Sequence, residues 1–104
     1  MLAMRHPNAN FILAHCGSTD YGWDMPTIFE LKLPNLYFEL SFVRPWNVPN
    51  YAKLAAESRL IFASSSPRND MRFELQQFAK WWPIAEHPAT YGGNLERLLA
   101  EVAR

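Results

Sequence analysis

A chain of 104 residues can enclose one hydrophobic core and little more. Ten Lys and Arg balance ten Asp and Glu, so the sequence offers no basic stripe of the kind that nucleic-acid binding needs. With 49% hydrophobic and 19% charged residues, the composition excludes the disordered class.

In chain order, Phe11-Ile12-Leu13-Ala14 follows the polar run Pro7-Asn8-Ala9-Asn10 and predicts a short strand buried on both faces. A polar loop over residues 15–22 leads to Asp24, which can cap a short helix with Pro26 in its first turn and Ile28, Phe29 and Leu33 on it. Pro34 ends that helix, because the residue before a proline avoids helical angles. Residues 36–40, Leu-Tyr-Phe-Glu-Leu, are the second predicted strand. Asn50 is a candidate cap for a helix over residues 51–57, and residues 60–63 are the third strand. Asn69 or Asp70 then caps a helix whose Met71, Leu75, Phe78 and Trp82 form one apolar stripe, stopped by Pro83. Gly92-Gly93-Asn94 opens the last helix, with Leu95, Leu98, Leu99 and Val102 on one face. Glu96 near its start and Arg104 at its end suit the helix dipole.

Strand and helix alternate three times, which predicts an α/β fold with a parallel sheet. Residues 1–104 form a single partial domain in this reading. A sheet of three parallel strands leaves two ladder edges, and both are expected to be exposed and prone to pair with another chain.

No apolar run approaches the length of a bilayer span. The opening residues MLAMRHPNAN carry no cationic region ahead of an apolar stretch, so no secretory signal is expected. A lone cysteine, Cys16, rules out an internal disulfide and suits a reducing compartment, so the cytoplasm is the expected location.

In parallel α/β folds chemistry gathers where strands run into loops. Three such ends are present: Leu13-Ala14-His15-Cys16-Gly17, Phe38-Glu39-Leu40-Ser41, and Ile61-Phe62-Ala63-Ser64-Ser65-Ser66-Pro67. In order, the stretches Asn10–Gly17, Pro34–Ser41, Arg59–Pro67 and Asn94–Leu99 resemble the last three strands and final helix of the amidohydrolase superfamily, in its decarboxylase-like and lactonase-like branch. The resemblance runs from about Pro7 to the end of the chain. It implies the last three βα units of a (β/α)8 TIM-type barrel, parallel-stranded and incomplete. It also implies descent from a metal-dependent hydrolase or decarboxylase of small carboxylate, lactone or amide substrates.

The family holds a divalent metal, usually zinc, on a His-x-His pair, a further His and an Asp of the eighth strand. By resemblance His15 takes the position of proton transfer or substrate binding, and Ser65 falls where the metal-binding Asp belongs. A hydroxyl is a poor substitute for that carboxylate, and no His-x-His occurs among His6, His15 and His87. No cofactor is therefore expected on this chain, and it is expected to be inactive alone. The alternative is a non-catalytic module that associates with its own kind or with a complementing barrel segment; neither membrane nor nucleic acid is expected as a partner.

Read without the family, His15 is a polar residue at a strand end, and Cys16 a small buried one. Glu39 is a polar group in need of a partner, and His6 and His87 are loop residues before prolines. Gly92-Gly93 is a turn before it is a phosphate site, and residues 64–66 lack the Gly-x-Ser-x-Gly elbow of a serine nucleophile. The four Trp are core or interface residues.

Overall fold

The computed structural model describes residues 2–17, 29, 32–64 and 66–102. Three short strands, β1 (Phe11–Leu13), β2 (Leu36–Glu39) and β3 (Leu60–Ile61), form a parallel sheet in the order β1-β2-β3. The register pairs Phe11 with Leu36 and Leu13 with Phe38, then Phe38 with Leu60 and Glu39 with Ile61. Around it lie α1 (Leu2–Arg5), α2 (Val48–Ala55), α3 (Met71–Trp81) and α4 (Asn94–Val102). The α/β class and the parallel sheet agree with the alternation of elements in the sequence. Each strand is shorter than its apolar run. After Leu13 the chain turns at once through left-handed backbone at His15 and Cys16.

Alternation along the strands sorts the side chains onto two faces. Leu36, Phe38 and Leu60 share one face and pack with Val48 of α2, Phe78 of α3, Phe29, Leu40 and Val43 in the main core. Aromatic rings dominate it, with Phe29 and Phe38 centred 4.8 Å apart and Phe62 edge-on to Phe78 at 5.2 Å. On the other face Tyr37 and Ile61 meet Leu98 of α4 in a smaller cluster. Ile12 belongs to that second face by register, yet it is 50% exposed. The expectation of a first strand buried on both faces is therefore corrected: only one face of β1 is covered.

The helices begin and end for local reasons. Of the two candidates in the sequence, Asn69 and Asp70, it is Asp70 that caps α3, accepting a hydrogen bond from the backbone N–H of Arg72 at 2.8 Å. The expected cap at Asn50 is displaced. α2 starts at Val48, and Pro49 sits in its first turn, where a fixed φ fits and no N–H is needed. In α3, Phe78 is buried and Leu75 half-buried, whereas Met71 at the exposed end of the stripe is not covered. In α4 the apolar stripe exists, but only Leu98 is buried; Leu99 and Val102 are 60% and 80% exposed. The helix expected after Asp24 and the charge of Arg104 lie outside the described residues, apart from Phe29, Lys32 and Leu33. Among the described residues no helix is long and apolar enough to cross a membrane.

The two edges of the sheet differ. On β3, Ile61 faces β2, since its carbonyl accepts from the N–H of Leu40 at 2.9 Å. The backbone groups of Leu60 and Phe62 therefore point away from β2. The Phe62 N–H donates to the Thr90 carbonyl at 2.9 Å, and the Leu60 carbonyl accepts from the Asn94 amide at 2.7 Å. That amide also reaches the Glu57 carbonyl at 2.9 Å, and the Leu60 N–H is taken by the same carbonyl. Thr90 and Asn94 are each 1% exposed. They are presented by the wide turn Ala89–Gly93, which needs Gly92 at a φ of 138°. The expectation of two exposed edges is thus corrected for β3. On β1, Phe11 faces β2 through its N–H to the Asn35 carbonyl at 2.8 Å, so the backbone groups of Ile12 face outward.

Candidate functional site

The strands β1 and β2 run in parallel, so their C-terminal ends deliver His15, Glu39 and Ser41 to one place. Glu39 and Ser41 are two residues apart and project to the same side of the chain. The Nδ1 of His15 lies 2.7 Å from the Ser41 Oγ and 3.9 Å from the Glu39 Oε2. The Glu39 carboxylate accepts the backbone N–H of His15 on Oε2 at 3.2 Å and that of Ser41 on Oε1 at 2.5 Å. One carboxylate thus fastens the tips of two strands.

That fastening holds backbone that is costly elsewhere. His15, Cys16 and Phe42 have φ of 57°, 55° and 62°, a left-handed region that side chains other than glycine seldom occupy. Each such residue costs on the order of 1–3 kcal/mol and survives only where its surroundings insist on it. Here the insistence comes from Glu39 on one side and from packing on the other. The rings of His15 and Phe42 meet edge to face at 5.0 Å, and the Arg68 guanidinium lies 5.8 Å above the Phe42 ring. Cys16 is fully buried in the main core, and burial, followed by the charge of Glu39, pushes its thiol up to about 12. It remains a protonated core thiol at neutral pH rather than a nucleophile or ligand.

The three side chains do not make a serine triad. Both Ser41 and Glu39 address the same ring nitrogen of His15, and Ser41 is 2% exposed. Ser41 instead fixes the tilt of an imidazole whose side chain remains 42% exposed. Its place could have been foreseen, since Glu39 and Ser41 share a strand face in the sequence. Its pairing with a residue 26 positions away could not.

The donor set does not by itself fit a zinc ion. Among the described residues no three His, Cys, Asp or Glu side chains converge as metal ligands. Near His15 the thiol is held protonated, and both oxygens of Glu39 already accept backbone N–H groups. Ser65, which only the sequence resemblance marks as a ligand position, lies outside the described residues.

Beside the cluster, an open groove of about 550 Å³ runs between the loop after β2 and one side of α3. Phe42 is its shared wall with His15; Trp46, Phe73 and Trp81 line it with Arg44 and Lys80. The remaining residues named from sequence have structural posts. His87 stacks on Trp82 at 3.4 Å and bonds Glu57 through Nδ1 at 2.8 Å, tying the loop after α3 to the start of β3. Trp82 donates from Nε1 to the Thr90 Oγ1 at 3.1 Å, while His6 is exposed. No family model, no curated protein and no solved structure matches this chain.

Proposed function

We propose that this chain derives from the closing three βα units of an amidohydrolase-like barrel and keeps part of that barrel's mouth. The family's reaction is metal-dependent hydrolysis or decarboxylation of small carboxylate, lactone or amide substrates. In this reading His15 is the group that touches substrate, Ser41 sets its ring, and Glu39 holds the strand tips that carry both. The supporting observation is the convergence of His15, Glu39 and Ser41 at the C-terminal ends of adjacent parallel strands. In this reading the chain does not turn over substrate alone, and the support is that among the described residues no three His, Cys, Asp or Glu side chains converge as metal ligands.

A second reading is favoured by one specific feature. Both oxygens of Glu39 are spent on backbone N–H groups, as in a structural clamp, and this suits a non-catalytic module that has kept only the scaffold.

One measurement tests the expectation that both readings share, and a second separates them. With zinc supplied, neither the chain nor its Ser65→Asp variant should hydrolyse a simple lactone or ester above the blank; hydrolysis by either would overturn the proposal. Titration with benzoate or a δ-lactone should move the ring resonances of His15 in the wild-type NMR spectrum. Ring resonances that stay still at millimolar ligand would leave the structural clamp as the surviving account.

A further inference from the structure

The sheet carries its own instruction for assembly, written in which backbone groups are taken. At the β3 edge the outward carbonyl of Leu60 and the outward N–H groups of Leu60 and Phe62 all have partners within the chain. An incoming strand would have to displace a buried Asn94 and a buried Thr90 to reach them. At the β1 edge the outward groups are those of Ile12, and among the described residues none bonds to them. We infer that a second copy of this chain docks on the β1 edge, joining β1 to its symmetry mate as an antiparallel pair centred on Ile12. The result is a closed two-fold dimer with a six-stranded sheet.

The occupant follows from the edge itself. Because β3 is sealed, β1 of one copy cannot pair with β3 of the next, so head-to-tail growth is blocked. Edge pairing between copies must then be isologous, which closes at two. An antiparallel hydrogen-bonded pair exchanges both N–H···O=C bonds between facing residues. Ile12 facing its own copy therefore satisfies its N–H and its carbonyl together, with no other residue needed. The chain is formally neutral, so two copies do not repel one another.

A three-residue strand pair is too small to hold a dimer, since stable interfaces bury roughly 1,200–2,000 Å². The rest comes from the helix beside it. Asn10, two residues before Ile12, donates to the Glu101 carboxylate of α4 at 3.1 Å. This ties the end of α4 that carries Leu99 and Val102 to the start of β1, on the face to which Ile12 points. Those three exposed apolar residues form the covering surface. The assembly is independent of the chemistry at His15 and stands or falls separately from it.

Light scattering on the full chain should give about twice the monomer mass of 12.1 kDa at 0.1 mM. Ile12→Lys, which places a charge at the joint, and Ile12→Pro, which removes the outward N–H without touching the bonds to β2, should both return monomers with unchanged far-UV circular dichroism. Ile12→Cys should oxidise to a disulfide-linked dimer, because facing Cα atoms about 5.5 Å apart suit that bond. Lys53→Cys, on the exposed side of α2, should not. A monomeric wild type, a dimer that survives both Ile12 substitutions, or an open series of larger oligomers would each overturn the inference.

Discussion

Two edges of one small sheet end in different ways, and the contrast shows what closes a parallel sheet in so short a chain. β3 ends against a side-chain amide and a turn carbonyl that stand in for a further strand. β1 carries the same residue type on the same face, yet Ile61 of β3 is 6% exposed and Ile12 of β1 is 50% exposed. Hydrophobicity of the strands does not separate the two. What separates them is the segment after α3, whose His87–Glu57 bond and Trp82–Thr90 bond hold the Ala89–Gly93 turn against β3. An edge is protected by whatever can offer one donor and one acceptor at the right spacing, and a buried asparagine beside a kinked turn does this with two residues.

The sharpest way to break the comparison is to make the same change on both sides of it. Ile61→Ala empties a site packed between Tyr37 and Leu98 and should cost about 3 kcal/mol, within the range for truncating a buried isoleucine. Urea unfolding of the purified variant measures it through the midpoint at constant slope. A cost below about 1 kcal/mol would mean that α4 does not seal that face of the sheet.

Next in size is the seal itself. Asn94→Ala takes the amide donor from the buried Leu60 carbonyl and one of two donors from the half-buried Glu57 carbonyl, and should cost about 2 kcal/mol. Its second effect is more telling. With the β3 edge opened, association no longer has to stop at two, and light scattering should detect concentration-dependent species larger than a dimer. Destabilisation without such species would show that Thr90 alone suffices to keep the edge closed.

The sequence made part of this contrast readable and hid the rest. Three short apolar runs, alternating with helical stripes, were enough to predict three parallel strands in order, because burial and period are local properties. A cap at Asn69 or Asp70 was legible for the same reason, and the structure decides for Asp70. Asn94 was visible only as a residue opening a helix. Its bond to Leu60 spans 34 positions and depends on how the turn at Gly92 aims the chain. The stripe on α4 was also visible, but periodicity states which residues share a face and not whether anything covers them. At the site, His15 was singled out by resemblance and Glu39 as a group in need of a partner. That their partners are Ser41 and two backbone N–H groups is a matter of how β1 and β2 register. The role assigned to Ser65 falls outside the described residues.

The smallest expected effect completes the comparison from the open side. Ile12→Ala removes a half-exposed side chain that touches neither core cluster, so in dilute protein its stability should stay within about 0.5 kcal/mol of the wild type. The residue is the same as in Ile61→Ala and the sheet face is the same, so the difference between the two costs isolates what α4 covers. The measurement must be made at low micromolar protein, where the dimer contributes little. Repeated at 0.1 mM, the wild type should gain stability from mass action and Ile12→Ala should gain less. Equal costs for the two substitutions in dilute protein would mean that β1 is covered on its second face as well, and the asymmetry of the edges would no longer hold.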